Sequence, residues 1–546
     1  MSSGVRLRLL PSSKCLFNEA IQTTIDGLVP GQCVELTAKL TDDKGVTFKS
    51  SGTYRADPRG EIRLDSHPSL GGSYSGVEPM GLFWSMRPET PHVKLWKRDA
   101  LSPCLVDIEV HDSERQGHIL AREKNKRGFM VEGLRRIPIK EGRIRGILFL
   151  PLGPGPFPGI VHMHTLGGGL SEVSGSLLAN QGFVVLSLAF YGYEDLPKNM
   201  TKLDLEYFEE AIMFLRKLPE VKAPGVGILS ISKSGDLALS MASFLTGVSA
   251  TVCVNGCNAN ILVPLHYKGM VIPPLLVDAN RATATESGVL DVSNCLLDPM
   301  APENQGSLIP IERAKCTFLF AVSGDDRNWN SCSFAEQMMK RLKDHGKDDS
   351  ELVVYPKAGH LLEVPYMPHC ATGMLAAVGN AVVAFGGDPS AHAEAQVDLW
   401  NRIPEFFRKH LDSKDELKFA YQEKVGVEDA IICLLHSTHS HLDKGKGAVR
   451  IMFFDFSSAF NTIQPARLRD KLVQMGVDTH LVSWITDYLT ERQQFVRMKD
   501  CFSEQVVSST GAPQGTVLSP ALFTLYLTSG TTQSHATCRS FQTTLQ

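Results

Sequence analysis

Gly227-Ile228-Leu229-Ser230-Ile231-Ser232-Lys233-Ser234-Gly235-Asp236-Leu237 decides the reading of this chain. An apolar run of strand length meets a turn of small residues and then a helical stretch, Leu237-Ala238-Leu239-Ser240-Met241-Ala242. A serine at the centre of a strand–turn–helix has its hydroxyl exposed on a sharp bend at the carboxyl edge of a sheet. The helix that follows points its N-terminus at the same place, which favours negative charge there. The usual spelling of such a turn is G-x-S-x-G. Ser230 and Ser234 stand where the glycines would be, so the turn is spelt with the next smallest side chain. By itself the stretch reads equally well as a serine-rich helix cap.

Its surroundings separate the two readings. From about residue 140 to 411, apolar strands alternate with amphipathic helices. Strand-like runs are Arg145–Leu150, Gly159–Met163, Phe183–Leu188, Val226–Leu229, Phe318–Val322 and Glu351–Tyr355. Leu205–Leu218 and Phe334–His345 read as helices between them. Continuous apolar strands interleaved with helices predict a mostly parallel sheet covered on both faces. Two later strands end in loops that carry Ser323-Gly324-Asp325-Asp326 and Lys357-Ala358-Gly359-His360. An open α/β sheet places its site at these carboxyl ends. The order Ser, Asp, His is the one an α/β hydrolase uses. The reading is therefore Ser232 as nucleophile, His360 as its base, and one of the two aspartates to hold the imidazole. A third element is His164-Thr165-Leu166-Gly167-Gly168-Gly169, after the strand that ends at Met163. The N–H groups of Gly167 and Gly168, with that of Lys233, are the expected donors to a developing oxyanion. A plain glycine-rich turn is the alternative for that run.

The rest of the chain frames this segment. Residues 1–135 show short alternating stretches such as Cys33–Leu40, punctuated by Asp42-Asp43-Lys44-Gly45, Asp57-Pro58-Arg59-Gly60 and Gly71-Gly72-Ser73. They predict a β-sandwich with a packing role. The expected domains are thus the sandwich at 1–135, the α/β-hydrolase domain at 140–411, a charged linker at 412–425 and a further segment at 426–546. The 546 residues carry 55 basic and 59 acidic side chains, a net charge of −4, so nothing calls for nucleic acid or an anionic membrane as partner. The 12 cysteines form no C-x-x-C pair and read as buried thiols of a reducing compartment. No cofactor or metal is expected. The opening MSSGVRLRLLPSSK is basic and free of acids, as a mitochondrial leader is, but Val5–Leu9 alternates as a strand does. Cytosolic residence and a monomer are the expectations.

Several stretches resemble one family. They are Ser69-Leu70-Gly71-Gly72-Ser73 with Glu78-Pro79-Met80-Gly81-Leu82, then Pro154–Val161, Tyr193–Lys198, Leu205–Ala211, Ser240–Leu245, Asp325-Asp326-Arg327-Asn328-Trp329 and Gly386-Gly387-Asp388-Pro389. Together, over residues 1 to about 411, they are similar to the acyl-CoA thioesterases, the family that includes the bile acid-CoA:amino acid N-acyltransferases. The resemblance implies a β-sandwich followed by an α/β hydrolase, and hydrolysis of fatty acyl-CoA. It places the nucleophile on Ser232, the acid on Asp326 rather than Asp325, and the base on His360. The N-acyltransferase branch typically carries cysteine at the place of Ser232, so serine tilts this chain toward hydrolysis without excluding transfer. Transfer to glycine or taurine is the alternative, and an inactive hydrolase fold the second one.

A different resemblance begins near residue 426. Val449–Phe460, with Asp455, and Gly511–Pro520 resemble two motifs of a non-LTR retroelement reverse transcriptase. The Tyr-x-Asp-Asp hairpin is missing: after Tyr526 the chain runs Leu527-Thr528-Ser529-Gly530, with no acid through Gln546. Two-metal phosphoryl transfer needs such carboxylates, so no polymerase activity is expected. The final Thr544-Leu545-Gln546 is not a peroxisomal address of the Ser-Lys-Leu type.

Overall fold

Alternation builds the N-terminal sheets. In Cys33–Thr41, Val34, Leu36, Ala38 and Leu40 are buried while Glu35 and Lys39 face water, as a period of two requires. That strand pairs antiparallel with Thr47–Arg55 on one side and Cys104–Asp112 on the other. They form the middle of a six-stranded sheet completed by Lys14–Leu16, Ile119–Gly128 and Arg87–Pro88. A three-stranded sheet of Arg6–Leu10, Gln22–Asp26 and Ile62–Arg63 accompanies it. Leu7 and Leu9 point inward, while Arg6 and Arg8 both reach the Asp26 carboxylate on the paired strand. The basic N-terminal residues are thus outward positions of a strand.

This is a computed structural model. It describes residues 4–411, except 116, 165, 223–224 and 376–380, and further on residues 463–494, 497–498, 501–502, 506–512, 522 and 526. The chain divides into two compact units, Met1–Ser413 and Lys414–Gln546. Residues 412–425, the Asp455 motif and residues 513–520 lie outside the described residues.

The large sheet of the first unit has eight strands, numbered in chain order. They are β1 (Arg135–Glu141), β2 (Ile144–Leu150), β3 (Gly159–Met163), β4 (Val184–Ala189), β5 (Val226–Ile231), β6 (Val248–Val254), β7 (Thr317–Ser323) and β8 (Glu351–Tyr355). Their spatial order is β1-β2-β4-β3-β5-β6-β7-β8. The strand β2 runs antiparallel to both neighbours, and every pair from β4 to β8 is parallel. Every residue of β3, β4 and β5 is buried, the mark of strands covered on both faces.

The cover is helical: α1 (Val173–Ala179), α2 (Leu205–Lys217), α3 (Lys233–Phe244), α4 (Ser331–Asp344) and α5 (Pro389–Leu411). In α2 the buried set Leu205, Phe208, Ala211, Ile212 and Leu215 follows the helical period. Glu206 in its first turn and Arg216 and Lys217 in its last complement the helix dipole. Burying each of its larger apolar side chains contributes about 1.5–3 kcal/mol. The architecture is an α/β hydrolase preceded by a β-sandwich. In the second unit, α6 (Pro465–Gln474) and α7 (Thr479–Leu489) share a small core of Leu468, Leu472, Val482 and Leu489. Asp478 caps α7 by accepting the N–H groups of His480 and Leu481.

Candidate active site

Parallel strands open their carboxyl ends on one edge of the sheet, and three loops meet there. The first follows β5. Its Ser232 has φ 59° and ψ −127°, a conformation that a side chain other than glycine adopts only under constraint. Three bonds supply the constraint. The Ser232 N–H donates to the Val254 carbonyl (2.9 Å), and the Gly235 N–H to the Ser232 carbonyl (2.7 Å). The Ile231 N–H donates to Ser234 Oγ (3.0 Å).

The two serines in glycine positions are accommodated by hydrogen bonding. Ser230 Oγ donates to the Val252 carbonyl (2.9 Å) on β6. Ser234 Oγ lies 3.0 Å from both the Met163 carbonyl at the end of β3 and the Ile231 carbonyl. Each hydroxyl is buried and satisfied, so the exchange for glycine leaves no orphan polar group. The close approach falls one residue later. A Cβ on Gly235 would lie 2.8 Å from the Cα of Gly256, where α3 presses on the loop after β6.

The second and third loops follow β7 and β8. His360 Nε2 lies 2.8 Å from Ser232 Oγ, and its Nδ1 lies 2.8 Å from Asp326 Oδ2. A carboxylate only accepts, so Nδ1 carries the proton and Nε2 is left to accept the Ser232 hydroxyl. All three side chains are buried. Asp326 is itself held: Oδ1 accepts the Asn328 and Trp329 N–H groups (2.8 and 3.3 Å), and Oδ2 accepts Ser331 Oγ (2.5 Å). Asp325 faces another way, pairing with Arg327 and accepting the Gly387 N–H (2.8 Å). The His360 ring meets Trp329 edge-on at 4.7 Å and stacks on Phe385 at 6.3 Å between ring centres. Ser331, Trp329 and Phe385 carried no catalytic signal in the sequence. Only adjacency to Asp326, for Trp329, could have suggested one.

Lys233 follows Ser232 and heads α3, so its backbone N–H is among those a helix start leaves without a carbonyl partner. Its side chain is wholly buried. Nζ donates to Asp236 Oδ2 (2.5 Å) and to the Ile261 carbonyl (2.7 Å). Burial outweighs the attraction of Lys233 and pushes the Asp236 carboxyl up to about 6.

Gly167 and Gly168 are placed differently from the expectation. Both N–H groups donate to the Tyr191 hydroxyl (2.9 and 2.8 Å), just beyond β4. Gly168 has φ 64°, and a Cβ there would lie 3.0 Å from the Tyr191 ring. These glycines serve the approach of a tyrosine in this arrangement, and their N–H groups are taken. Burial, reinforced by Arg98 and Lys94, drives the neighbouring His164 well below its ordinary value, and burial alone lowers His162 to about 4. The cavity bordering β5 is small, ≈ 30 Å³, and its lining includes Leu229, Ile231, Val254, Leu362, Leu399 and Trp400. A roomier one, ≈ 370 Å³, lies beside the glycine run and Arg98.

Comparison with known proteins agrees with this architecture. Residues 18–141 match the model described as acyl-CoA thioester hydrolase/BAAT N-terminal region, and residues 203–413 its C-terminal counterpart. Residues 403–543 match reverse transcriptase (RNA-dependent DNA polymerase). Human acyl-coenzyme A thioesterase 2, mitochondrial, is 49% identical over 408 residues, covering 74% of this chain and 84% of the relative. Human acyl-coenzyme A thioesterase 1 is 49% identical over 74% of this chain and 96% of its own length. The rat acyl-coenzyme A thioesterase 1 is 47% identical over 75% and 97%. This chain belongs to the acyl-CoA thioester hydrolase/BAAT family.

Proposed function

We propose that this protein hydrolyses fatty acyl-CoA to free fatty acid and coenzyme A through an acyl-enzyme on Ser232. The observation that carries the reading is the unbroken relay Ser232–His360–Asp326, with both contacts at 2.8 Å. Ser232 Oγ attacks the thioester carbonyl while its proton passes to His360 Nε2. The carbonyl oxygen becomes an oxyanion beside the backbone N–H of Lys233. Collapse breaks the C–S bond, and the departing thiolate takes the proton from His360. Water then attacks the acyl-serine while His360 takes its proton, and collapse breaks the ester C–O bond as His360 returns that proton to Ser232 Oγ, releasing the acid. Asp326 holds Nδ1 protonated throughout and offsets the charge of the imidazolium.

The family name also covers amino-acid acyltransferases, and the choice rests on what enters second. Serine as nucleophile favours water. The cysteines from Cys15 to Cys370 are unpaired, which fits a reducing compartment such as the cytosol or the mitochondrial matrix. Thiol release from acyl-CoAs of graded length, with and without glycine or taurine, tests the reading. Free acid is expected in every case, and an N-acyl amino acid as the main product would contradict it.

A further inference from the structure

The loop that carries His360 is fastened by two side chains outside the relay, and both grip its backbone. Asn255, at the end of β6, is fully buried with φ 47°. Its Nδ2 donates to the His360 carbonyl (2.7 Å) and to Ser323 Oγ (3.0 Å), and its Oδ1 accepts the Ser323 N–H (2.8 Å). Its own N–H donates to the Ala321 carbonyl (2.9 Å), and its carbonyl accepts Trp329 Nε1 (2.9 Å). One residue therefore joins the end of β7, the tryptophan against the imidazole and the base's own peptide.

His392, on α5, holds the other side. Its Nδ1 accepts the Gly359 N–H (3.0 Å), and its Nε2 donates to the Leu361 carbonyl (3.2 Å). The residues just before and just after His360 are thus tied to one ring. The Phe385 carbonyl accepts the His360 N–H (2.7 Å), so both the N–H and the carbonyl of the base are engaged. Burial, with the His369 ring tilted against it 4.7 Å away, lowers the His392 imidazole to about 3, which keeps it neutral, as a ring that both accepts and donates must be.

A relay drawn from three separate loops works only if each side chain is held to a fraction of an ångström, and a 1 Å error costs about 10²-fold in rate. We propose that Asn255 and His392 are positioning residues that clamp His360 in line between Ser232 and Asp326. The inference rests on the Ser232 reading above.

Thiol release from one acyl-CoA is measured across pH for the wild type and for Ser232→Ala, Asn255→Gly, His392→Phe and His392→Asn. Glycine keeps the left-handed backbone at 255 and removes the amide. Asparagine at 392 keeps an acceptor near Nδ1. The clamp predicts that Asn255→Gly and His392→Phe lower kcat about 10- to 100-fold with KM within about threefold. His392→Asn recovers part of the loss. The downfield proton NMR signal between His360 and Asp326 weakens in parallel. If Asn255→Gly does not fold, the two His392 variants carry the test. Folded variants with wild-type kcat, or a loss confined to KM, would overturn the clamp. Equal activity of Ser232→Ala would instead bring down the underlying mechanism.

Discussion

Two loops leave the sheet side by side, after β3 and after β5, and both are built of small residues. The loop after β5 is pinned from several directions. Val254 receives the Ser232 N–H, Ser234 reaches back to Met163, and the Lys233 side chain is anchored on Asp236 and Ile261. What its tip presents is the Ser232 hydroxyl, turned toward His360. The loop after β3 is pinned through the very groups expected to act, since the Tyr191 hydroxyl takes the N–H groups of both Gly167 and Gly168. Small residues alone therefore do not mark a reactive loop. What distinguishes the two is where their backbone hydrogen bonds go.

The contrast can be broken from the strong side first. Asp326→Asn keeps the size of the side chain but lets an amide face His360 Nδ1, which favours the wrong tautomer. It is expected to lower kcat about 10²- to 10⁴-fold in a thiol-release assay. A loss under threefold would place the orienting acid elsewhere.

The anchor beneath the Ser232 turn comes next. Asp236→Ala leaves the Lys233 ammonium buried without its partner, and is expected to cost about 3–5 kcal/mol in urea unfolding. In the wild type, burial holds the folded Asp236 carboxyl up at about 6, above its ordinary 3.8. The folded chain therefore binds this proton more tightly than the unfolded one. The stability it contributes is complete below about pH 4 and is lost as pH rises through about 6. Unfolding measured from pH 4 to 7 should show that decline in the wild type and a flatter profile in Asp236→Asn. Equal slopes would contradict it.

The smallest effect is expected at the quiet loop. Tyr191→Phe removes the acceptor shared by two N–H groups, a loss of about 1 kcal/mol in stability. Thiol release should change by less than about threefold. A tenfold change in either direction would bring the glycine run into the reaction and erase the contrast.

These differences also mark what could be read from the sequence. Strand, turn and helix around Ser232 are local, and periodicity reveals them. The loops of Asp326 and His360 are legible as ends of apolar strands. Spacing could not choose between Asp325 and Asp326; the family resemblance chose, and the structure places only Asp326 against the imidazole while Asp325 turns to Arg327. The contacts of Gly167 and Gly168 were not legible, because the hydroxyl that occupies them lies 24 and 23 residues further along the chain. Asn255 and His392 gave no signal for the same reason: Asn255 meets its partner His360 at a separation of 105 residues. The buried charge of Lys233 was equally hidden, since a lysine after a serine reads as a surface residue until Asp236 and Ile261 are seen around it.

The central claim is that one buried serine carries the acyl group. A fluorophosphonate probe, which forms a stable adduct with an activated serine, tests it most directly when the labelled protein is digested and the modified peptide sequenced by mass spectrometry. The account predicts a single adduct on Ser232, thiol release falling in proportion to labelling, and neither label nor turnover in Ser232→Ala. An adduct on another residue, or full turnover by the unlabelled Ser232→Ala protein, would contradict it.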